Sequence, residues 1–498
     1  MRPPGCKTKV VLWAVVSALL SVGDGGHPSR CEMWRADIVH SEAVAKASRS
    51  FKGLWVSDKC EIQPGPRFVL RRYHIYRSGH FTLLRFHYLD PWCTAASFSV
   101  SAAGRFVPPP DRATSAAASW VVPGGIELDY VLRKVTLVPF TPDSAERLSR
   151  RANGSCPGAG WKPSKKYKLL SYDRKGARKG KVRPDISVCT EALGIRFHEL
   201  QLMRLEHRIP LNFLSLRSSH PPEDRRYHTY LFLGAEGFPT GSRPTYYQTP
   251  LVPSQAVQCP TCLAVAKASL TSPPILSSGP YNTDAADLNG QWISLRCEVR
   301  PYGLFLRRTF TFGDAWQAQH SYYRDPHCKH PMFVLSATGL YFRGMPSTVV
   351  PDAIEYDFHV QEVFLTPQDL QFVSNLNGLY SCGSNWKVGE RGNLTRHGGC
   401  RELGIAVPSM EQDLVRFERS GADLMFLYLG ETTEDKKRPT SFQPPLVRCA
   451  RPESKMAEDY FHNYNQLRPL PLVSGTSAVH HSVLCFFVVC FLSKLLVY

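Results

Sequence analysis

Residues 53–93 read GLWVSDKCEIQPGPRFVLRRYHIYRSGHFTLLRFHYLDPWC, and residues 290–328 read GQWISLRCEVRPYGLFLRRTFTFGDAWQAQHSYYRDPHC. Both carry Gly-x-Trp, then Cys-Glu, an apolar run broken by Arg-Arg, and Asp-Pro-x-Cys. The likeness resumes between residues 123–149 and 351–375, where Thr141-Pro142 matches Thr366-Pro367. It ends on RPTYYQTPLV (243–252) and RPTSFQPPLV (438–447). One unit therefore occurs twice in tandem, as a chain of 498 residues, too long for one core, requires.

Each unit alternates with period two. Leu304, Leu306, Phe310 and Phe312 share one face of their segment, and Phe305, Arg307, Thr309 and Thr311 the other. In the first unit the corresponding apolar face reads Phe68, Leu70, His74 and Tyr76. Repeated alternating strands with short turns predict a mainly β fold, two tandem disulfide-rich antiparallel β-barrel-like domains with short helices. Threonine followed by proline predicts a helix start at residues 141 and 366. Arg72 and Arg308 interrupt the apolar faces, either solvated at a barrel mouth or paired with buried Glu61 and Glu298.

Residues 1–26 have the basic start, apolar core and small residues of a secretory signal. Of 15 cysteines, Cys6 lies in that segment and Cys485 and Cys490 in the apolar tail. The other 12 divide into sixes: Cys31, Cys60, Cys93, Cys156, Cys189 and Cys259, then Cys262, Cys297, Cys328, Cys382, Cys400 and Cys449. An even set in a secreted chain predicts disulfides. Six cysteines allow about 15 connectivities, among which spacing cannot choose. A nested scheme is one hypothesis: Cys60–Cys93, Cys156–Cys189 and Cys31–Cys259, with Cys297–Cys328, Cys382–Cys400 and Cys262–Cys449. The expected divisions are a first domain at 27–260, a second at 261–450 with a linker within 271–280, a stalk at 451–477 and an apolar anchor at 478–498. That tail suits either a short spanning helix or a lipid anchor. Asn153 and Asn393 are glycosylation acceptors.

Catalytic signatures are missing from the sequence. His198-Glu199 opens like a zinc-protease helix, but Leu202 stands where a second histidine is needed. No enzyme activity, cofactor or metal is expected. Cys259-Pro-Thr-Cys262 has the spacing of a redox pair, yet each cysteine has a structural place in the count of sixes. Residues 162–183 hold ten cations against one Asp: Lys162, Lys165, Lys166, Lys168, Arg174, Lys175, Arg178, Lys179, Lys181 and Arg183. The stretch reads as an inserted loop. With a net charge of +18 it suits heparan sulfate or anionic headgroups. Secretion excludes nucleic acid.

The duplicated Trp-[Val/Ile]-Ser-x-x-Cys-Glu, the Arg-Arg strand, Asp-Pro-x-Cys, the run HELQLMR and the Arg-Pro-Thr-x-x-Gln-x-Pro-Leu-Val endings resemble the APCDD family, its APCDD-like branch above all. The resemblance runs from about Cys31 to Cys449. It implies a membrane-tethered extracellular inhibitor of Wnt signalling whose partners are Wnt ligands and the lipoprotein-receptor-related co-receptor, and it leaves room for a homodimer. It also implies barrel-like domains with a cavity for an acyl chain. The lining expected from the alternation is Trp55, Phe68, Leu70, Tyr76 and Phe86, with Trp292, Leu304, Leu306, Phe310 and Phe312. The alternative is a glycan-binding or adhesion-type surface glycoprotein with solid barrels.

Overall fold

In a computed structural model the described residues are 31, 51–107, 119, 124–156, 160–171, 186–208, 228–235, 243–256, 259–277, 287–300, 304–420, 424–431 and 437–450. The expected signal, stalk and anchor lie outside them, and so do residues 278–280 at the end of the expected linker. The first half contributes β1 (Gly53–Val56), β2 (Glu61–Gln63), β3 (Arg67–Ile75), β4 (His80–Tyr88), β5 (Ala96–Val107), β6 (Ile126–Glu127), β7 (Asp129–Pro139), α1 (Pro142–Ala152), β8 (Tyr167–Ser171), α2 (Ile186–Ala192), β9 (Leu202–Arg208), β10 (His228–Leu233) and β11 (Val252–Pro253). After α3 (Pro260–Lys267), the second half contributes β12 (Gly290–Ser294), β13 (Glu298–Arg300), β14 (Leu304–Phe312), β15 (Trp316–Tyr323), β16 (Pro331–Pro346), β17 (Ile354–Pro367), α4 (Leu370–Asn377), β18 (Gly392–Asn393), β19 (Gly399–Cys400), β20 (Ile405–Ala406), β21 (Ser409–Ser420), β22 (Leu424–Leu429) and β23 (Leu446–Ala450).

The second half is a closed antiparallel barrel. Its ring runs β12-β14-β15-β16-β17-β21-β22-β23 and returns to β12. The first half repeats this ring with one strand interrupted. β7 pairs with β5, β6 pairs with β9, and between them the Leu128 backbone N–H donates to the Gln201 carbonyl at 3.0 Å. The bridge Leu231–Leu251 and the β11–β1 ladder complete the circuit. Closure needs curvature, and each barrel bulges at one glycine, Gly104 or Gly339. A β-carbon on Gly104 would meet the Val131 carbonyl oxygen at 2.4 Å, and one on Gly339 would meet that of His359 at 1.8 Å.

Ladder register corrects the sequence alignment twice. Arg71 faces Arg85 across β3–β4, and Arg308 faces His320 across β14–β15. Arg71, and not Arg72, is therefore the counterpart of Arg308. Val100 faces Leu137, and Leu335 faces Leu365. This places Thr141 opposite Asp369 rather than Thr366. Both are helix caps: Thr141 accepts the Ser144 N–H before Pro142, and Asp369 accepts the Phe372 N–H before α4. Thr366 and Pro367 finish β17 instead of starting a helix.

All 12 cysteines pair, four bridges as in the nested scheme: Cys60–Cys93, Cys156–Cys189, Cys297–Cys328 and Cys382–Cys400. The other two differ. Cys259 closes on Cys262, and Cys31 crosses to Cys449. Burial explains the exchange. Cys31 lies among Ile293, Val447 and Cys449 of the second barrel. The matching first-barrel positions, Val56 and Val252, are covered by Cys262 and Val265 of α3. Residues 268–277 continue over the first barrel. Arg72 donates to the Ala268 carbonyl at 2.5 Å, and the Tyr88 hydroxyl to that of Pro274 at 2.5 Å. Cys31, which lies ahead of the first barrel in sequence, thus packs on the second, and residues 261–277, which lie ahead of the second, pack with the first.

Candidate functional site

The ten expected lining residues divide unequally. Trp292, Leu306, Phe310 and Phe312 lie in one buried cluster with Trp316, Phe358 and Phe417, and Leu304 packs against it. Rings there meet closely, Trp316 and Phe358 at 5.8 Å and Phe312 and Phe358 at 6.1 Å between centroids. In the first barrel only Trp55 has the matching place, with Tyr73, Ile75, Phe81 and Leu83. Phe68, Leu70 and Phe86 face outward under α3, and Tyr76 is 41 % exposed. The expected alternation was one residue out of step, which turns a whole strand over. The cause is visible: α3 covers the outer face, so both faces of β3 are apolar.

The inward arginines are buried and paired. The Arg71 guanidinium contacts Glu61 at 2.9 Å through Nε, and donates to the Thr249 carbonyl at 2.5 Å; Ser57 Oγ completes the cluster, 2.6 Å from Glu61. Arg308, Glu298 and Ser294 repeat it, and Arg308 also donates to Gln443 and the Pro444 carbonyl, both at 2.6 Å. Of the two readings, the buried pair holds for Arg308 with Glu298, while in the first barrel Arg71, and not Arg72, is the partner of Glu61. The first barrel has a second network that sequence reasoning missed. Glu199, in the 3-10 turn His198–Gln201, lies 3.1 Å from Arg85 and accepts from the Tyr73 hydroxyl at 2.9 Å. Inward parity of three polar residues was its only signal. The second barrel has Phe310 and His320 in place of Tyr73 and Arg85. Burial first, then the charges of Arg308 and Arg300, push His320 down to about 3.

The two barrels meet through equivalent surfaces. Lys59 lies 5.1 Å above the Tyr428 ring, and Arg296 lies 5.0 Å above the Phe232 ring. Ladder register makes Phe232 and Tyr428 counterparts, opposite Arg204 and Arg416. Lys59 Nζ also donates to the Tyr428 hydroxyl at 2.6 Å and lies 3.3 Å from Glu418. Burial opposes the Lys59 charge, but Tyr428 and Glu418 outweigh it and raise its pKa. Each Asp-Pro-x-Cys corner reaches across. Asp90 and Asp325 fold their corners by accepting the N–H groups of residues 92, 94 and 95, and of 327, 329 and 330. The Trp92 indole then donates to Asp352 at 2.6 Å. His327 approaches the first barrel, where burial and next the Arg204 charge hold its pKa below the usual histidine value. Between the barrels lies a cavity of about 280 Å³, lined by matched pairs such as Gln248 and Gln443, Glu206 and Glu418, and Phe232 and Tyr428. Rings and amides around such a space can hold a small organic group.

Asp413, close to Arg308, gives the second barrel a pH dependence. Burial pushes its carboxyl up to about 7, against the Leu414 and Gly430 N–H groups that it accepts. An unfolded aspartate titrates near 3.9. The native state therefore holds the extra proton between about pH 4 and 7, and stability falls as pH rises through that window. Asp413→Asn keeps both acceptor contacts and removes the charge. It is expected to flatten this slope and to add about 1–2 kcal/mol at pH 8, read by urea denaturation at pH 5 and 8. An unchanged slope would disprove the assignment.

The basic stretch is not wholly a loop. Its first part forms β8, paired to β7, with Tyr167 buried against Trp161 at 4.7 Å. Lys162, Lys165, Lys166 and Lys168 are exposed there, while Arg174 to Arg183 lie outside the described residues. Asn153 is an exposed helix cap, and Asn393 is half-buried on β18. Among the described residues no helix is long and apolar enough to cross a membrane. A family model described as "Adenomatosis polyposis coli down-regulated 1" matches residues 30–277 and 281–456.

Proposed function

From membership of the adenomatosis polyposis coli down-regulated 1 family, to which this chain belongs, we propose that the protein is an extracellular, membrane-tethered negative regulator of Wnt signalling. The family match over both repeats carries this reading. A leader at residues 1–26 delivers the barrels to the cell exterior, the pairing of all the cysteines among the described residues suits that oxidising route, and the apolar tail holds them at the membrane. The partners are a Wnt ligand, the lipoprotein-receptor-related co-receptor, or both.

The ligand's acyl chain is taken up by an apolar barrel interior. The second barrel suits it better, because Trp292, Leu304, Leu306, Phe310 and Phe312 all face one cluster. Both carry one inward buried pair, Arg71 with Glu61 and Arg308 with Glu298, and the first adds Arg85 with Glu199. Each methylene buried would contribute about 0.8 kcal/mol, so one acyl group can dominate the affinity. The exposed lysines on and before β8 favour a second reading, a surface that holds sulfated glycans.

Two measurements test the proposal. The full chain, expressed on Wnt-stimulated cells, is expected to lower a transcriptional reporter; an unchanged signal would overturn the inhibitor role. An acylated Wnt peptide is expected to bind roughly tenfold or more tighter than the same peptide without its acyl group. Equal binding would remove the lipid site, and salt-sensitive retention on heparin alone would favour the glycan reading.

A further inference from the structure

The Cys259–Cys262 bridge differs from the other five. It spans a sequence separation of 3, whereas the others span 18 to 418. Such a short link restrains the unfolded chain least, so its loss costs the fold least. It also lies at the start of α3. Cys259 is the cap, Pro260 occupies the first turn, and the Cys262 N–H donates to Cys259 Sγ at 3.1 Å. No acidic residue stands in that first turn. An N–H donor and a helix start both favour negative charge on the Cys259 sulfur once it is released.

The two sulfurs are also unequally placed. Cys259 is half-exposed, and Cys262 is buried against Val56, Leu70 and Val265. Cys60–Cys93 and Cys297–Cys328 are partly exposed too, but they close the Asp-Pro-x-Cys corners, with no helix start behind a sulfur. A reductant therefore reaches one end of the Cys259–Cys262 bond from solvent and leaves the other in the core.

We propose that Cys259–Cys262 is a thiol–disulfide exchange site that accepts electrons from a dithiol. A thiolate of the dithiol attacks Cys259 Sγ and forms a mixed disulfide. The Cys259–Cys262 bond breaks, its electron pair leaves on the Cys262 sulfur, and that sulfur takes a proton from water. The second thiolate of the same dithiol then attacks its partner sulfur in the mixed disulfide and expels the Cys259 thiolate. Two electrons pass in all, the dithiol's protons go to water, one proton from water ends on Cys262, Cys259 is left as the thiolate, and the dithiol becomes a disulfide. The change falls beside the junction, since Thr261 and Leu276 line the cavity between the barrels. Cys31–Cys449 and the corner bridges remain closed.

The test uses the native full chain under graded dithiothreitol, with free thiols trapped by alkylation and assigned by peptide mass spectrometry. Cys259 and Cys262 are expected to label roughly tenfold or more faster than any other cysteine, with tryptophan fluorescence unchanged. In Cys262→Ser, Cys259 is expected to accumulate a mixed disulfide with glutathione. The wild-type experiment decides if that variant fails to fold. Labelling first at Cys60 or Cys297, or labelling of Cys259 only together with all the others as the protein unfolds, would overturn the proposal.

Discussion

Arg308→Met is expected to destabilise the second barrel by about 3 kcal/mol, because buried Glu298 loses its hydrogen-bonded cation and keeps only Arg300, at 3.5 Å. Arg308 is 2 % exposed. Its guanidinium joins Glu298 of β13 to the adjacent Gln443 side chain and Pro444 carbonyl. Glu298 is buried as well, at 2 % exposure. The double variant Glu298→Gln with Arg308→Met should recover roughly half of that loss, since the carboxylate charge is then gone. Arg307→Met, its half-exposed neighbour on the outer face, should cost about 1 kcal/mol or less. Chemical denaturation of the three variants checks this. Equal losses for Arg307→Met and Arg308→Met would show that the buried pair does not matter.

Removing the Cys31–Cys449 bridge, by serine at both positions, is expected to cost about 4 kcal/mol. The bridge closes the largest loop in the chain, with a sequence separation of 418, although the other bridges inside it shorten the effective path. The packing of Cys31 against Ile293 and Val447 would weaken with it. Serine at both Cys259 and Cys262 should cost less than about 2 kcal/mol, because so short a loop restrains little. Denaturation midpoints of the two double variants, compared with the parent, decide the matter. If both pairs cost the same, loop length is not the source of the difference.

Much of the site was readable only to within one residue. The carboxylates Glu61 and Glu298 were picked out because each follows a repeated cysteine, and both are the partners found. Their arginine was placed correctly in the second half and one position late in the first. An Arg-Arg doublet offers both parities, and β3 is apolar on each side because α3 covers it. Periodicity has no preference when both faces are buried. The first-barrel lining failed for the same reason, while β14, with threonines on its outer face, was read correctly. The junction cavity left no local trace, since its walls come from residues such as Gln248 and Gln443 that are far apart in sequence.

Sequence alone determined that this protein is one β unit used twice, with cysteines enough to pair completely and the marks of its family. Those properties are local: they are written in strand periods, turn residues and repeated motifs. Tertiary structure alone decided which cysteine meets which at positions 31, 259, 262 and 449, which arginine points inward, and how the barrels face each other. Each of those depends on which segment covers which surface, and burial of apolar area is indifferent to chain order. Helix α3 packs on the barrel before it, Cys31 on the barrel farther along the chain, and the disulfides follow that packing.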